Sequence, residues 1–355
     1  MTEFRKMKIK YMDISRKTFS FKVLFITAAA ILFLSVTGYA QNNNAGTSAA
    51  NFLKIGVGAR PMAMGDAAIA TVSSPEAMYW NVAALARMSN SFGATISTMD
   101  WLVDTRNSYI AAALNLQEIG IVGVDFTYLN YGKIEETTVY NQHGTGRYYS
   151  ADDMEIGLGY ARNLTDRFAF GFKVKYISEN IADANADAFG FDVGALFRTT
   201  FFNNNLRLAA AISNFGTTMQ FTGSNLNVTY SVPDNPSNKE IPATLSTIKW
   251  DIPLLFRFGI SNYFINSNDW SLLVAYDILD SRDFIARHNV GMEVGFEHLI
   301  YIRGGYKFNY SEASYTAGIG LDFSKILNKN LTLDYSYIDY GVFNGLNQFT
   351  LNVDL

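Results

Sequence analysis

Side chains that could act as a catalytic base, a nucleophile or a metal ligand are few and widely separated in this chain of 355 residues. Cysteine is absent, which excludes disulfides, thiol nucleophiles and Cys-ligated metals. The three histidines are His143 in a polar stretch, His288 in register with apolar residues, and His298 in a short turn. General-base catalysis needs a histidine near a nucleophile and an orienting carboxylate, and the sequence places neither beside any of the three. We therefore predict a non-enzymatic protein with no catalytic residue, no metal site and no cofactor.

A glycine-rich box from Gly56 to Pro61 is the second candidate for chemistry. It reads Gly-Val-Gly-Ala-Arg-Pro, which is the first half of a dinucleotide-binding fingerprint. Proline stands where the third glycine belongs and no βαβ unit follows, so nucleotide binding is not expected. Arg60 could instead form a bidentate pair with an inward carboxylate such as Glu293 or Asp322. The alternative is a solvated arginine at the mouth of the fold.

The elements that must position these residues are β-strands. Fourteen segments between residue 92 and the C-terminus alternate apolar and polar side chains, as residues 168–176 do. Strands of soluble sandwiches also alternate, but they average about five or six residues, whereas tilted membrane strands need about 9 to 11. Many of these segments are ten residues or longer. Aromatic residues near strand ends suit an interfacial girdle. They include Tyr306, Phe308, Tyr310, Tyr335, Tyr337 and Tyr340.

These patterns predict an all-β protein, a 14-stranded antiparallel transmembrane β-barrel over residues 91–355. Alternation also predicts which side chains meet lipid and which face the lumen. We therefore expect Phe170→Arg, on the lipid face, to cost more stability than Lys173→Ala, on the luminal face.

The first 40 residues predict a secretory signal peptide. Basic residues precede the apolar run Val23–Val36, and the small residues Gly38 and Ala40 suit cleavage before Gln41. A membrane anchor is the alternative, but this run rises only about 21 Å as a helix, against roughly 30 Å of hydrocarbon. Without the leader the chain is acidic and has no basic run, so nucleic acid is not an expected partner.

Connection lengths predict how the barrel sits in a Gram-negative outer membrane. The longest connections, residues 138–152 and 222–252, follow the third and seventh strands, while short turns follow the fourth, eighth and tenth. Long outer loops and short periplasmic turns are typical of bacterial barrels. We predict extracellular long loops, two periplasmic termini and a wall in contact with outer-membrane lipid.

Alternation assigns seven acids and eight bases to the predicted lumen. The bases are Lys173, Lys175, Arg198, Arg207, Arg257, Arg287, Arg303 and Lys307. This balance favours paired charges that support an internal element over an ion-selective pore, and an ordinary narrow water-filled lumen is the alternative. Residues 41–90 do not alternate, and their many glycines and alanines can pack closely in a crowded interior. We predict that they form an N-terminal hatch inside the barrel.

Two stretches of this hatch resemble the N-terminal signature of the PorV/PorQ family, which belongs to the FadL-like superfamily of outer-membrane barrels. Residues 52–67 read FLKIGVGARPMAMGDA and residues 78–86 read MYWNVAALA. The family pattern is roughly a Gly-Ala-Arg box, a Met-Gly, and then Trp-Asn-Pro-Ala-Gly-Leu. Val82 and Ala84 replace the usual proline and glycine, which we expect to loosen the turn.

The resemblance implies a hatch in the lumen and one of two functions. The first is an accessory or cargo-handling role in type IX protein secretion or surface assembly, with translocon or attachment subunits as partners. The second is FadL-like passive transport of a hydrophobic small molecule. Family resemblance does not choose between them. The candidate hatch and lumen residues are Gly58, Arg60, Met64, Gly65, Asp66, Trp80 and Asn81.

Overall fold

The computed structural model describes residues 46–199, 201, 206–231, 240–327 and 330–355, so the predicted signal peptide lies outside the described residues. Within these ranges, fourteen long antiparallel strands close into the predicted barrel. The strands are β1 (Phe92–Asp100), β2 (Arg106–Asn115), β3 (Ile121–Glu135), β4 (Tyr148–Asn163), β5 (Phe168–Ile181), β6 (Ala184–Thr199), β7 (Leu206–Gly216), β8 (Leu255–Asn266), β9 (Trp270–Ser281), β10 (Phe284–Phe296), β11 (Ile300–Phe308), β12 (Tyr315–Asp322), β13 (Asn330–Asp339) and β14 (Gly345–Asp354).

Short elements complete the described chain. The α-helices are α1 (Ala59–Ala63), α2 (Ala77–Trp80) and α3 (Ser324–Leu327). The 3₁₀ helices are Asn51–Lys54, Val82–Arg87, Gln117–Ile119, Ser224–Leu226 and Gly341–Phe343. Short strands follow β7 at Thr218–Met219, Thr222–Gly223, Asn227–Tyr230, Ile241–Thr244 and Trp250–Asp251. None of the helices in these ranges has the length and apolar character needed to cross a bilayer.

The barrel closes because the last strand pairs with the first. Gly93 of β1 lies opposite Asp354 of β14, and every other strand pairs with its neighbours in sequence. Closure satisfies the backbone of both edges, which a membrane-spanning sheet requires. The alternation places Phe170 on the outer surface and buries Lys173 in the interior, so the predicted faces of β5 are confirmed.

The two ends of the barrel differ in the length of their connections. We call the end with the odd-numbered connections the loop rim and the opposite end the turn rim. The long connections 136–147 and 217–254 both lie at the loop rim, whereas 164–167 and 267–269 are short connections at the turn rim. The predicted asymmetry of the loops is therefore present.

The described part of the hatch, residues 46–90, lies in the interior and runs from the loop rim to the turn rim. Near its start, Ser48 Oγ donates a hydrogen bond to Asp283 at the loop rim, at 2.6 Å. Near its end, the carbonyl of Ala86 accepts one from the last residue of β4, at 2.7 Å. Gln41, the predicted mature N-terminus, lies outside the described residues, and its periplasmic placement stays a prediction.

Three strands have an end that lies five residues from its predicted position. β5 continues to Ile181 rather than ending at residue 176. β4 begins at Tyr148 rather than at residue 153, because its ladder with β3 continues to the pair Glu135 and Tyr148. Of the five residues 148–152 in this extension only Ala151 is buried, so the sequence there lacks the alternation of apolar and polar side chains that would reveal a strand. β7 ends at Gly216 rather than at residue 221, since the chain there leaves the barrel wall for the long connection.

Two of the residues predicted to lie in the outer aromatic girdle face the interior instead. Tyr306 and Phe308 lie on the outer surface as predicted, with ring centroids 4.6 Å apart. Tyr310 and Tyr340 instead line a cavity at the loop rim. Each follows the end of a strand, where the alternation of inward and outward side chains no longer applies.

Candidate functional site

A buried ionic network around Glu293 of β10 attaches the hatch to the barrel wall. Arg60 of α1 donates from Nε to one carboxylate oxygen at 2.8 Å and from Nη2 to the other at 3.0 Å. Arg303 donates to the same carboxylate at 2.6 Å and to Asp334 at 2.6 Å. Of the two acids proposed as partners of Arg60, Glu293 forms the pair. Asp322 instead accepts a backbone hydrogen bond at the start of α3, at 2.9 Å.

The network balances charge inside the lumen. Burial alone lowers the pKa of Arg60, but the carboxylate of Glu293 more than offsets burial, so the pKa is raised and the guanidinium stays charged. Two arginines therefore neutralise two carboxylates. Removing one member of a buried pair strands its partner, which costs about 3–5 kcal/mol. Arg60 is thus a strong point of attachment between hatch and wall.

Two further polar contacts lie on the same side of the barrel. Lys307 of β11 lies 2.6 Å from Asp66 of the hatch. Asp277 of β9 accepts hydrogen bonds from the backbone N–H groups of Ala68 and Ile69, at 2.6 Å and 3.0 Å. Strands β9 to β11 therefore hold the hatch through charged side chains.

The opposite wall, β3 to β6, contacts the hatch through small residues. The 3₁₀ helix Val82–Arg87 lies so close to β5 that a Cβ on Gly171 would be 2.6 Å from the amide nitrogen of Ala83. Inward glycines leave the space that this helix fills. Those that meet the hatch are Gly123, Gly159, Gly171 and Gly194.

Asn81 joins the hatch to this wall at the start of the same helix. Its amide donates to the carbonyls of Ile69 and Ala195, at 3.1 Å and 3.2 Å, and its oxygen caps the helix. The expected loosening at Val82 and Ala84 is not seen. Both residues are buried in the helix, and Ala84 does not have the positive φ that would require glycine.

Gly58 and Glu76 meet inside the hatch. Gly58 has φ +85°, and a Cβ there would lie 2.6 Å from the carboxyl carbon of Glu76. The pKa of Glu76 is raised from 4.5 to about 8, mainly by burial and in part by Asp334, although Arg60 and Arg303 act to lower it. The hatch therefore contains a carboxyl group that is protonated at neutral pH.

The remaining candidates pack rather than ionise. The indole of Trp80 donates to the carbonyl of Val57 at 2.8 Å. Met64 is fully buried. Gly65 has φ +65°, and a Cβ there would lie 2.9 Å from the amide nitrogen of Tyr306 in the wall. The structure thus gives all seven candidates a place in the hatch, and their functional roles stay predictions.

A cavity of about 290 Å³ separates the hatch from the wall at the loop rim. Arg257 lies over the rings of Tyr79 and Trp80, with its guanidinium carbon 5.3 Å and 5.5 Å from their centres. Arg287 lies 4.3 Å from the ring centre of Tyr310. The lining therefore combines aromatic rings with cations. Other lining residues include Asp66, Trp101, Lys307 and Tyr340.

The alternation of side chains correctly predicts that Arg257 and Arg287 face the lumen, but it does not identify them as cavity residues. Of the seven candidates, only Asp66 and Trp80 line this cavity. The alternation of apolar and polar residues shows that a side chain faces the lumen, but it does not show which residues lie across the lumen from it.

The predicted charge pairing holds for half of the inward bases. Lys173 lies 2.6 Å from Asp125 and 2.9 Å from Glu155, and Lys175 lies 2.7 Å from Asp192. Arg303 and Lys307 are paired as described above. Four inward bases have no carboxylate within 4 Å among the described residues. These are Arg198, Arg207, Arg257 and Arg287.

The histidines lie far apart on the barrel. His143 and His298 are exposed in connections, and His288 faces outward with Nδ1 2.7 Å from the hydroxyl oxygen of Tyr276. In the part of the chain that the structure describes, no group of three or more His, Asp and Glu side chains could hold a metal ion.

The closed barrel with a segment inside its lumen is an outer-membrane β-barrel with the fold of FadL-like channels. Similar solved structures include the CymD monoaromatic hydrocarbon channel, with a TM-score of 0.53, 11% identity, and coverage of 84% of this chain and 96% of that chain. The Pseudomonas putida toluene transporter TodX has a TM-score of 0.52 and 11% identity, and the match covers 84% of this chain and 99% of that chain. A Pseudomonas aeruginosa FadL homologue has a TM-score of 0.50 and 10% identity, and the match covers 84% of this chain and 99% of that chain. At these identities the likeness is one of fold.

The sequence places the chain more narrowly. Residues 38–235, more than half of the chain, match the family described as type IX secretion system protein PorV. The chain belongs to the PorV family. Among curated proteins, none has a sequence that matches it.

Proposed function

We propose that this PorV-family barrel is a non-enzymatic accessory component of type IX protein secretion or surface assembly that handles cargo at the outer membrane. The observation that carries the proposal is a lumen occupied by a hatch, which Arg60 and Glu293 attach to the wall, in a chain of this family. A barrel filled in this way is a poor conduit for a folded protein. It would instead act beside a translocon, with translocon or attachment subunits as its partners.

Passive transport of a hydrophobic small molecule is the second candidate function. The aromatic cavity at the loop rim favours it, as does the fold shared with barrels described as a monoaromatic hydrocarbon channel and a toluene transporter. In this function a ligand would enter beside Trp80 and Trp101, and the hatch would have to move before release at the turn rim.

Affinity purification from the native outer membrane distinguishes the two functions. Bound proteins and extracted lipids would both be identified by mass spectrometry, with an unrelated tagged barrel as the control. Type IX translocon or attachment subunits, specific to this chain, are the expected result. A recurrent apolar small molecule without any protein partner would contradict the secretion role and support transport.

We also propose that the loop rim is extracellular and the C-terminus periplasmic. Because the chain has no cysteine, single cysteines can report on each rim. Ser224→Cys lies in the long connection at the loop rim, and Thr165→Cys in a turn-rim connection. A membrane-impermeant maleimide should label only the first on intact cells and both after permeabilisation. Labelling of only the second on intact cells would reverse the orientation.

A further inference from the structure

Three arginines gather at the turn rim, away from the loop-rim cavity. Arg198 lies near the end of β6, Arg207 near the start of β7, and Arg87 at the end of the 3₁₀ helix of the hatch. None of the three has a carboxylate oxygen within 4 Å in the described ranges. The connection between β6 and β7, residues 200–205, contains no acidic residue in sequence. These cations differ in this respect from Lys173 and Lys175 deeper in the lumen.

Arg198 and Arg207 line a cavity of about 230 Å³ that has no acidic residue in its described lining. The guanidinium carbon of Arg207 lies 5.5 Å from the ring centre of Tyr263. Contact with an aromatic face supports a guanidinium while leaving its N–H edge free to donate. Ser271 and Tyr301 add hydroxyl groups to the same cavity. The lining is therefore a set of converging hydrogen-bond donors.

Arg87 supplies an independent sign that an anion belongs nearby. Its Nε and Nη2 are buried and have no hydrogen-bond partner among the described residues, while Nη1 donates to the carbonyl of Asp166 at 3.4 Å. Burial, followed by the charges of Arg198 and Arg207, lowers the pKa of Arg87 to about 10. Buried donors without partners call for a bound group or water, and clustered like charges favour a group that is negative.

We propose that this turn-rim cavity binds an oxyanion, the phosphate or carboxylate group of a small solute. Guanidinium groups bind both through paired N–H donors. The cavity volume is several times the roughly 30 Å³ that one water occupies in the liquid, which leaves room for an organic part beside the anion. Arg198 and Arg207, which line the cavity, bind the anion, and Arg87 of the hatch adds a nearby positive charge without lining the cavity.

Isothermal titration calorimetry of the detergent-solubilised mature barrel tests this site. Sodium phosphate and sodium acetate are titrated separately at constant ionic strength, with chloride as the background anion. We expect saturable binding of at least one oxyanion, and the preferred one identifies the group. Arg207→Gln should weaken this binding at least tenfold. Arg167→Gln, which changes an exposed arginine at the same rim, should leave it unchanged.

Folding of each variant is checked by its heat-modifiable mobility on gels. If Arg207→Gln does not fold, Arg198→Gln replaces it in the same comparison, because Arg198 is exposed and its substitution disturbs the fold less. Absence of saturable binding for both anions would overturn the proposal. So would equal affinities in the wild type and the folded cavity variant, or an equal loss in Arg167→Gln.

Discussion

Arg60 and Glu293, 233 residues apart in sequence, form two parallel hydrogen bonds inside the lumen. The side chain of Glu293 is only 4% exposed and that of Arg60 21% exposed. Arg303 of the wall binds the same carboxylate at 2.6 Å. The carboxylate of Glu293 is thus shared between an arginine of the hatch and an arginine of the wall.

Arg60→Ala should release the hatch without unfolding the barrel. The substitution leaves Glu293 with one cationic partner instead of two, and breaking a buried pair costs about 3–5 kcal/mol. We expect new protease cleavage between residues 46 and 90 while the barrel keeps its heat-modifiable mobility. Arg106→Ala is the matched control, because Arg106 and Asp100 form an exposed pair at 3.2 Å. Cleavage equal in both variants would show that Arg60 does not hold the hatch.

Lys173→Ala should destabilise the barrel at least as much as Phe170→Arg, contrary to the expectation from alternation alone. Lys173 pairs with both Asp125 and Glu155 in the interior, so its loss leaves two buried carboxylates without their salt-bridge partner, at about 3–5 kcal/mol. An arginine on the lipid face near the midplane costs about 2–4 kcal/mol. The free energy of unfolding, measured by urea titration in lipid, tests the order.

A variant without charges at these three positions shows whether Lys173→Ala destabilises the barrel by leaving carboxylates unpaired or by removing packing contacts. The triple variant Lys173→Met, Asp125→Asn, Glu155→Gln should recover most of the stability, since no buried charge of this cluster remains unpaired. The exposed Lys133→Ala should change little. If the triple variant is as unstable as Lys173→Ala, the ionic explanation fails.

Gly65→Ala should loosen the hatch through a collision with the wall. A Cβ there would lie 2.9 Å from the amide nitrogen of Tyr306, in addition to the strain of φ +65°. Gly132→Ala is a matched control, because Gly132 has φ +73° and no atom within 4 Å of the added carbon; it should lose only about 1–2 kcal/mol. Hydrogen exchange of hatch amides should rise in Gly65→Ala alone. Equal exchange in both variants would contradict the close contact.

The attachment of the hatch should weaken as pH rises, because of Glu76. Its pKa is about 8 in the folded protein, raised mainly by burial from an ordinary value of 4.5. Between pH 4.5 and pH 8 the folded state therefore keeps a proton that the unfolded state has lost. Stability from this group is therefore full below about pH 4.5 and is lost as pH rises through about 8. Protease protection of the hatch should fall between about pH 5 and pH 8 in the wild type and change little above that range. Glu76→Gln should flatten this dependence, and an unchanged slope would exclude Glu76 as its source.

The sequence was sufficient to predict the barrel, because long strands that face lipid on one side and the lumen on the other leave a direct alternation of apolar and polar residues. It revealed fourteen strands, the rim of the long loops, and an inward Lys173. It could not predict that Lys173 meets both Asp125 and Glu155, since alternation fixes a face but not the register between strands. Tyr310 was misplaced because it lies beyond the last residue of β11.

The hatch was predictable only in part for a different reason. Its small residues and the family signature indicated a segment in the lumen, and Arg60 indicated an ionic attachment. Choosing between Glu293 and Asp322 requires the path of an irregular segment across the barrel, which no local pattern records. The same limit concealed the grouping of the turn-rim arginines, because no local pattern shows that Arg87 of the hatch lies close enough to Arg198 and Arg207 to be affected by their charges.

Single-channel conductance in planar bilayers tests most directly whether the hatch closes this barrel. The wild-type protein should insert without stable open steps, since the hatch fills the lumen from rim to rim. Arg60→Ala should show frequent openings, and Arg106→Ala should behave like the wild type. Stable, large conductance steps from the wild type, at the same level as those of Arg60→Ala, would contradict a lumen closed by the Arg60 and Glu293 pair.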